Sequence, residues 1–269
     1  MPMELKPIED LDSPGSMILE WGPTKSGKTA NALLTAPKPL AIINVEGRDV
    51  RLNLKWIIEK GLCKKSDFMK VDYSDIGDCV EFLSTNTFDG FSSILFDSVT
   101  YLMQVPLSEE LAMQAWEERE KKKGESSGKV LVGQTKMSAE AYGALSKQTI
   151  RIFKRLADLS KIHGKTVICT ARDDSKPSWD SELSGSPLFE GNAFSKVFDG
   201  MCDAIGYVEL QYKDGKPIWP PRISFDDPER RGFKCGWTGS RPVDKDGRDK
   251  ALYRMPLDFE LILRTMRGE

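Results

Sequence analysis

The stretch SMILEWGPTKSGKTANALL, residues 16–34, decides the fold of this chain. An apolar run leads into GPTKSGKT (22–29), which satisfies the pattern G-x-x-x-x-G-K-[ST], and a helical pattern then runs from Lys28 until Pro37 stops it. A strand, a glycine-rich bend and a helix in this order aim several backbone N–H groups at one point, where the helix N-terminus favours anions. The stretch therefore predicts a phosphate-binding loop, and the alternative is an ordinary turn before a helix.

The residue types of this loop suit ATP with Mg²⁺. Gly22 and Gly27 stand where the backbone must turn tightly and approach a phosphate closely. Lys28 is expected to reach the β- and γ-phosphate oxygens, and the hydroxyl of Thr29 is expected to bind Mg²⁺. The predicted nucleotide contacts are Gly22, Pro23, Thr24, Lys25, Ser26, Gly27, Lys28, Thr29 and Ala30.

Short apolar runs alternate with helical stretches through the first two thirds of the chain. The runs after the first are LAIINV (40–45), FMKVDY (68–73), SSILFD (92–97) and KTVICTA (165–171). The helical stretches lie near 50–60, 75–86, 98–123 and 138–163. Because strands that alternate with helices favour a parallel sheet covered on both faces, we expect an α/β fold with a mostly parallel sheet flanked by helices.

The chain changes character after Arg172. Residues 203–225 predict a hairpin around Lys213-Asp214-Gly215-Lys216, since Asp-Gly is a strong turn signal. A charged, loop-like stretch follows, and a short helix from Leu257 to about Met266 ends the chain. We therefore expect three parts: an N-terminal arm (1–15), a core (16–210), and an extension (211–269) in which the hairpin, the loop and the terminal helix pack on the core.

Charged residues close several of the predicted strands. Asp97 ends SSILFD and is expected to join Thr29 in holding Mg²⁺; its rival Asp72 ends a shorter, more polar run, and either carboxylate could simply cap a helix. Glu46 follows LAIINV and is a candidate for orienting or deprotonating the water that attacks the γ-phosphate, although a surface glutamate in a turn remains an alternative. Arg172 closes KTVICTA and could sense the γ-phosphate, contact DNA or form a local salt bridge.

Composition excludes several classes of protein. The 269 residues include 39% hydrophobic and 30% charged side chains, which is typical of a soluble globular protein. No apolar run approaches the roughly 20 residues that cross a bilayer, and the N-terminus has no secretory pattern, so we expect a cytoplasmic protein without a membrane partner. Five scattered cysteines and a single histidine, His163, disfavour a disulfide scaffold, a Cys/His zinc site and a Ser-His-Asp triad.

The near-neutral net charge of −2 hides a basic block. Residues 121–165 contain eleven Lys or Arg and three acids, a net charge of +8, so the rest of the chain carries −10. On the predicted helix 138–163, five basic residues share one side, opposite an apolar stripe: Lys147, Arg151, Lys154, Arg155 and Lys161. A surface for a polyanion and an ordinary solvated helix face both fit this pattern.

The motifs resemble those of RecA-core ATPases. GPTKSGKT (22–29), NVEGR (44–48), ILFDSVTYL (94–102) and VICTAR (167–172) stand in the order of that family: P-loop, catalytic-glutamate strand, Walker B strand and sensor strand. The resemblance covers about residues 16–210, and the small size is similar to phage-encoded recombinases of the Sak type, which are single-strand annealing ATPases.

Carried over to this chain, the resemblance implies a RecA-like P-loop NTPase core. It implies Lys28 and Thr29 at the phosphates and Mg²⁺, Glu46 as the water-activating base and Asp97 in the metal shell. One departure concerns Arg172, which stands where the sensor strand of the family usually ends in a polar or histidine side chain.

The resemblance also implies an ATPase stimulated by single-stranded DNA, acting in phage or prophage recombination and replication in the bacterial cytoplasm. Its expected partners are single-stranded DNA, further copies of the chain and a single-strand-binding protein. The segments expected to face DNA, about 103–137 and 172–198, contain Trp179 as a candidate for stacking on a base. The candidate DNA contacts are Lys121, Lys122, Lys123, Lys129, Lys136, Arg172 and Lys176. The candidates for a finger toward the neighbouring subunit's nucleotide are Arg230, Arg231 and Lys234, although ERRGFK does not match the family pattern cleanly.

Two other functions stay open. In the first, the chain is a nucleotide-gated replication-loading or partner-recruiting P-loop protein with slow turnover, in which Glu46 takes no part in chemistry. In the second, it is a nucleotide or small-molecule kinase. A kinase needs a lid with phosphate-clamping arginines, and residues 172–198 contain only Arg172.

Overall fold

The computed structural model describes seven parts of the chain. They are residues 15–47, 49–111, 113, 139–173, 185–189, 192–226 and 235–269. The strands are β1 (Ser16–Gly22), β2 (Leu40–Asn44), β3 (Phe68–Asp72), β4 (Ser93–Asp97), β5 (Thr166–Arg172), β6 (Ala204–Glu209), β7 (Tyr212–Lys213), β8 (Lys216–Pro217), β9 (Arg222–Ser224), β10 (Gly236–Trp237) and β11 (Met255–Pro256). The helices are α1 (Lys28–Thr35), α2 (Arg51–Glu59), α3 (Ile76–Thr85), α4 (Val99–Gln104), α5 (Ala139–His163), α6 (Asn192–Asp199) and α7 (Phe259–Arg267).

One mixed sheet of nine strands organises the described residues. Its order is β3-β2-β4-β5-β1-β6-β9-β11, and β10 pairs with β6. The strands from β3 to β6 are parallel, whereas β9, β10 and β11 join antiparallel. The predicted architecture is confirmed: the chain has an α/β fold with a mostly parallel sheet, flanking helices and a C-terminal β-hairpin extension.

The register brings the ends of the parallel strands to a single edge. Asp97 lies opposite Asn44 on β2, and Gly22 lies opposite Arg172 on β5. Because β5 separates β1 from β4, the sheet places the sensor strand between the P-loop strand and the strand that ends in Asp97.

The alternation of side chains along the strands builds two apolar layers. On one face, Met17, Leu19 and Trp21 of β1 pack beneath α3, α4, α5 and α6. On the other face, Ile18 packs with residues of α1, α2 and α7. Glu20 takes the next position on that second face and is fully buried, so an acidic side chain stands where the alternation calls for an apolar one.

Element boundaries differ from the predictions at two places. The helix expected at 98–123 is interrupted: α4 ends at Gln104, a turn follows at Val105, and helix continues through 106–111, beyond which most of the predicted stretch lies outside the described residues. The terminal helix begins at Phe259 rather than Leu257, because the Asp258 side chain accepts a hydrogen bond from the Leu261 N–H and so caps the helix there.

The extension closes the sheet on the side of β6. The arms of the expected hairpin are β6 and β9, and its tip is the small β7-β8 ladder. Asp214 (φ 53°) and Gly215 (φ 73°) both adopt the left-handed conformation that a two-residue type I′ turn requires.

The sequence analysis disfavoured a disulfide scaffold and found no apolar run long enough to cross a bilayer. None of the five cysteines, all of which lie in the described residues, forms a disulfide bond. Among the described residues no helix is both long enough and apolar enough to cross a membrane.

Candidate nucleotide site

A cavity of about 270 Å³ opens at the edge where the parallel strands end. Seven of the nine predicted nucleotide contacts line it, namely the consecutive residues 24–30. Gly22 and Pro23, the other two, accept hydrogen bonds from Lys28 through their carbonyl oxygens. Glu46, Asp97 and Arg172 also line the cavity, so the structure brings all four predicted catalytic residues to one place.

The two glycines of the loop are required by space as well as by conformation. Gly22 has φ 149°, and a Cβ there would lie 2.4 Å from the carbonyl oxygen of Val208 on β6. Gly27 has φ 90°, and its Cβ would lie 2.9 Å from Pro221 Cγ and from Trp219 Cζ3. The loop is therefore wedged against β6 and against the segment that precedes β9, which leaves no room for a side chain at either glycine.

Lys28 folds back onto the loop. Its ammonium group donates hydrogen bonds of 2.9 Å to the carbonyl oxygens of Gly22 and Pro23, and one of 3.2 Å to Ser26 Oγ. Burial lowers the pKa of Lys28, and the negative charges of Glu20, Asp97 and Glu46 oppose that shift. A cation held by neutral acceptors in a small cavity attracts an anion, because phosphate oxygens can replace these acceptors as stronger partners.

Asp97 joins the loop to the sheet through two hydroxyl groups. Thr29 Oγ1 donates to Asp97 Oδ2 at 2.9 Å, and Thr170 Oγ1 donates to Asp97 Oδ1 at 2.5 Å. Burial raises the pKa of Asp97, as does the charge of Glu46, while the two hydroxyl hydrogen bonds lower it.

The donor set fits Mg²⁺ bound together with phosphates. A carboxylate and a threonine hydroxyl are hard oxygen donors, and protein Mg²⁺ sites commonly use one or two carboxylates completed by water and phosphate oxygens. Within the described part of the chain no three His, Cys, Asp or Glu residues cluster to hold a metal on their own. Thr29 and Asp97 would therefore hold Mg²⁺ only alongside the phosphates.

Glu46 is held beside the same cavity. Its Oε1 accepts a 2.8 Å hydrogen bond from Ser98 Oγ and lies 3.6 Å from Arg172 Nη2. The backbone N–H groups of Val45 and Glu46 both donate to the carbonyl oxygen of Asp97, at 2.8 and 3.2 Å. The two carboxylates therefore belong to one hydrogen-bonded unit across the ends of β2 and β4.

The backbone of Arg172 is fixed while its side chain reaches the cavity. Its N–H donates to Thr100 Oγ1 at 2.9 Å, and its carbonyl oxygen accepts from the Leu188 N–H at 2.8 Å. Its side chain is one third exposed (34%), and the guanidinium lies 3.6 Å from Glu46 at the cavity.

The sequence reasoning missed Glu20. This carboxylate is fully buried, and both of its oxygens lack a hydrogen-bond partner among the described residues. Burial raises the pKa of Glu20 to about 8; the charge of Lys28 opposes the shift and that of Asp97 adds to it. The signal was present, because Glu20 is the one charged residue in the run SMILEW, two residues before Gly22.

Thr170 and Ser98 were missed as well. They orient Asp97 and Glu46 respectively, through the hydrogen bonds described above. Thr170 lies opposite Glu20 in the β1-β5 register, so the sheet order was needed to bring it to the site. Asp72, the rival to Asp97, does not line the cavity and bonds instead with Asn44 and Lys70.

The predicted DNA contacts fall into two groups. Those outside the described residues are Lys121, Lys122, Lys123, Lys129, Lys136, Lys176 and Trp179, as are the finger candidates Arg230, Arg231 and Lys234. Arg172 lies in the nucleotide cavity. The predicted two faces of α5 are present: Leu145, Ile152, Leu156 and Leu159 are buried, whereas the basic residues of the other side are exposed.

Comparison with known proteins adds little to this geometry. No protein-family model and no curated protein matches the chain. A solved structure described as "Crystal structure of the RadB recombinase" is similar, with 16% sequence identity and a TM-score of 0.45, over 78% of this chain and 81% of that one. A likeness this distant carries no functional argument, and the fold assignment rests on the strand order and the P-loop themselves.

Proposed function

We propose that this chain is an ATP-binding and ATP-hydrolysing recombination protein that acts on single-stranded DNA. The observation that carries the proposal is the P-loop cavity. There Asp97 accepts a hydrogen bond from the hydroxyl of Thr29, and Glu46 lines the same cavity. The sequence resemblance to Sak-type ATPases adds the finer part: annealing in phage or prophage recombination and replication, as a homo-oligomer and beside a single-strand-binding protein.

The loop binds the triphosphate through its backbone N–H groups and Lys28. Thr29 and Asp97 would hold Mg²⁺, which would neutralise charge on the phosphate oxygens. Thr170 keeps the carboxylate of Asp97 facing the loop by holding the oxygen that Thr29 does not use.

Glu46 takes the role of orienting the attacking water. A carboxylate at the carboxyl edge of a parallel sheet lies where ligands of such sheets bind, and Ser98 fixes its orientation by a hydrogen bond. Arg172 pairs with Glu46 at 3.6 Å and turns toward the γ-phosphate once that group is present. The release of this ion pair then frees Glu46 to accept a proton from water.

Single-stranded DNA lies along the basic face of α5 in this proposal. The helix connects back to the start of β5, so its N-terminal end lies at the sheet edge that holds the nucleotide cavity. Lys147 and Arg151 are exposed on the N-terminal half of the helix, which places positive charge on the side from which bound nucleotide can influence DNA.

The test is the steady-state ATPase rate with and without single-stranded DNA across a salt series. We expect stimulation by DNA that falls as salt rises, and loss of hydrolysis in Lys28→Ala. Lys55→Ala is the matched control, since Lys55 is an exposed lysine of α2 outside the cavity. Equal rates for the two variants would overturn the assignment of the P-loop, whereas hydrolysis indifferent to DNA would overturn the DNA part alone.

A nucleotide-gated protein with slow turnover is the second candidate. The observation that favours it is the engagement of Glu46 by both Ser98 and Arg172, which leaves its carboxylate serving as a structural link. The single-turnover rate of Glu46→Gln separates the two functions. A fall of about a hundredfold or more supports the recombination ATPase, because general-base catalysis contributes roughly 10²–10⁴-fold; an unchanged rate supports nucleotide gating.

A further inference from the structure

The two sides of the cavity differ in the strands that border them. Its acidic wall, with Glu46 and Asp97, is built from the ends of β2 and β4, which lie on one side of the P-loop strand β1. On the other side of β1 lie β6 and β9. A triphosphate whose γ end meets the acidic wall therefore directs its nucleoside toward β6 and β9.

A partly exposed tryptophan lies on the side of β6 and β9. Trp219 precedes β9 and is 46% exposed. Its ring closes on the P-loop: an added Cβ on Gly27 would lie 2.9 Å from Trp219 Cζ3 and 3.1 Å from Cη2. The ring is outside the set of residues that line the phosphate cavity, so it borders the loop without occupying the phosphate positions.

The segment that carries this ring is fixed to the P-loop helix. The carbonyl oxygen of Pro221 accepts a 2.8 Å hydrogen bond from the Leu257 N–H, and the Leu257 carbonyl oxygen accepts one from the side-chain amide of Asn31 on α1. The Phe259 N–H also donates to Thr35 Oγ1 at the end of α1, at 3.1 Å. These bonds hold the segment 219–221 against the same helix whose N-terminus binds the phosphates.

We propose that Trp219 is the platform on which the base of the bound nucleotide stacks. This inference rests on the proposed nucleotide binding and adds the residue that contacts the nucleoside. An indole presents a large flat π-face at low cost in conformational entropy, and aromatic stacking accepts every base because every base has a π-face. Trp219 therefore contributes affinity for the nucleoside while discriminating little between ATP and GTP.

The experiment compares two probes on the full chain with Mg²⁺: ATP and inorganic tripolyphosphate, which has the phosphates and lacks the nucleoside. Binding is measured by calorimetry for wild type, Trp219→Ala and Trp219→Phe. Trp56→Ala is the matched control, because Trp56 is similarly exposed (51%) and lies on α2, outside the residues that line the cavity. Thermal unfolding of each variant reports whether the fold is retained.

The stacking role predicts a specific pattern of affinities. Trp219→Ala should weaken ATP binding about tenfold or more and leave tripolyphosphate binding unchanged, since loss of an aromatic platform affects only the nucleoside. Trp219→Phe should recover part of the loss, and Trp56→Ala should match wild type. Direct quenching of the Trp219 fluorescence by ATP, absent in Trp219→Phe, gives an independent readout.

Three results would overturn the proposal. ATP affinity unchanged in Trp219→Ala shows that the ring touches no base, and equal weakening of both probes shows that it only supports the loop. Tighter binding of tripolyphosphate shows that the ring blocks the phosphate site. Failure of the wild type to bind either probe removes the nucleotide function itself, an outcome distinct from these three.

Discussion

The hydroxyl of Thr29 donates a 2.9 Å hydrogen bond to Oδ2 of Asp97, a residue 68 positions later in the chain. The bond crosses β5, which lies between the strands that lead to the two residues. It joins the first turn of α1 to the end of β4, so the loop and the carboxylate at the strand end are in direct contact.

Asp97→Asn should abolish the contribution of Mg²⁺ to ATP affinity. The amide keeps the shape of the side chain, but it removes the charge that a divalent cation requires; interactions with a charged group contribute about 1.5–3 kcal/mol, which corresponds to roughly ten- to a hundredfold in affinity. ATP affinity measured with Mg²⁺ and with EDTA gives the contribution directly. Stability should be retained or rise, because burial already raises the pKa of Asp97 and so penalises its charged form.

Asp72→Asn is the control for that measurement. Asp72 ends the neighbouring strand β3 and does not line the cavity. If both variants kept the same dependence on Mg²⁺, the metal would not be held by Asp97.

Glu20 should make the protein less stable as the pH rises from about 4.5 to 8. Burial raises its pKa from 4.5 to about 8, so within this window the folded state keeps a proton that the unfolded state has lost. The free energy of unfolding falls wherever the folded state binds more protons than the unfolded state, so the stabilisation present below the lower pKa is lost as the pH passes through the higher one.

Glu20→Gln should remove this loss. The variant should be more stable than wild type at pH 8 by an amount on the order of a few kcal/mol and close to it at pH 4.5. Urea unfolding across the pH range measures the difference, with Glu59→Gln, an exposed position on α2, as the control. A pH profile of Glu20→Gln parallel to that of wild type would show that Glu20 is not the titrating group.

Gly22→Ala should destabilise the fold because the structure leaves no room for a Cβ at this position. The new Cβ would lie 2.4 Å from the carbonyl oxygen of Val208, a backbone atom of β6 that cannot move aside without breaking the sheet. Gly61→Ala provides the comparison, since Gly61 also has a positive φ (69°) but meets nothing within 4 Å. We expect the first variant to lose at least about 2 kcal/mol more than the second in urea unfolding. Equal losses would mean that conformation alone explains the glycine.

The residues that meet at the cavity could be predicted from the sequence wherever the signal was local. The P-loop needs only a spacing of glycines, a lysine and a threonine after an apolar run. Asp97 and Glu46 needed one further step: each closes an apolar run, and the carboxyl ends of parallel strands meet at one edge. Gly27, Lys28, Thr29, Glu46 and Asp97 all line the cavity, and Gly22 holds Lys28 from beside it.

Residues whose position depends on strand order could not be found in that way. Thr170 reaches Asp97 only because β5 is inserted next to β1, which no local pattern states. Trp219 lies close to Gly27 although the two are far apart in sequence. Hydrogen bonds that anchor its segment to α1 hold it there. The helical periodicity of the sequence predicted one continuous helix across Val105, because the residues on both sides of that turn are themselves helical.

The basic face of α5 provides the last prediction. If it binds single-stranded DNA, removal of three of its charges in Lys147→Ala, Arg151→Ala, Lys154→Ala should weaken binding and flatten its dependence on salt. Each phosphate contact on a single strand contributes a slope of roughly 0.7 in log K against log salt, so the triple variant should lose about 2 from the slope. Its stability should match wild type, because all three side chains are exposed on the side opposite the buried residues of the helix.

The matched control removes the same charge elsewhere. Lys60, Lys64 and Lys65 are exposed and precede β3 at the opposite edge of the sheet, far from the strand ends that hold the nucleotide cavity. Fluorescence anisotropy of a labelled oligonucleotide across a salt series measures both variants. Because both lose three positive charges, a general electrostatic attraction would lower the two slopes equally, whereas contact with α5 lowers only the first; equal slopes would reduce the basic stripe to a solvated helix face.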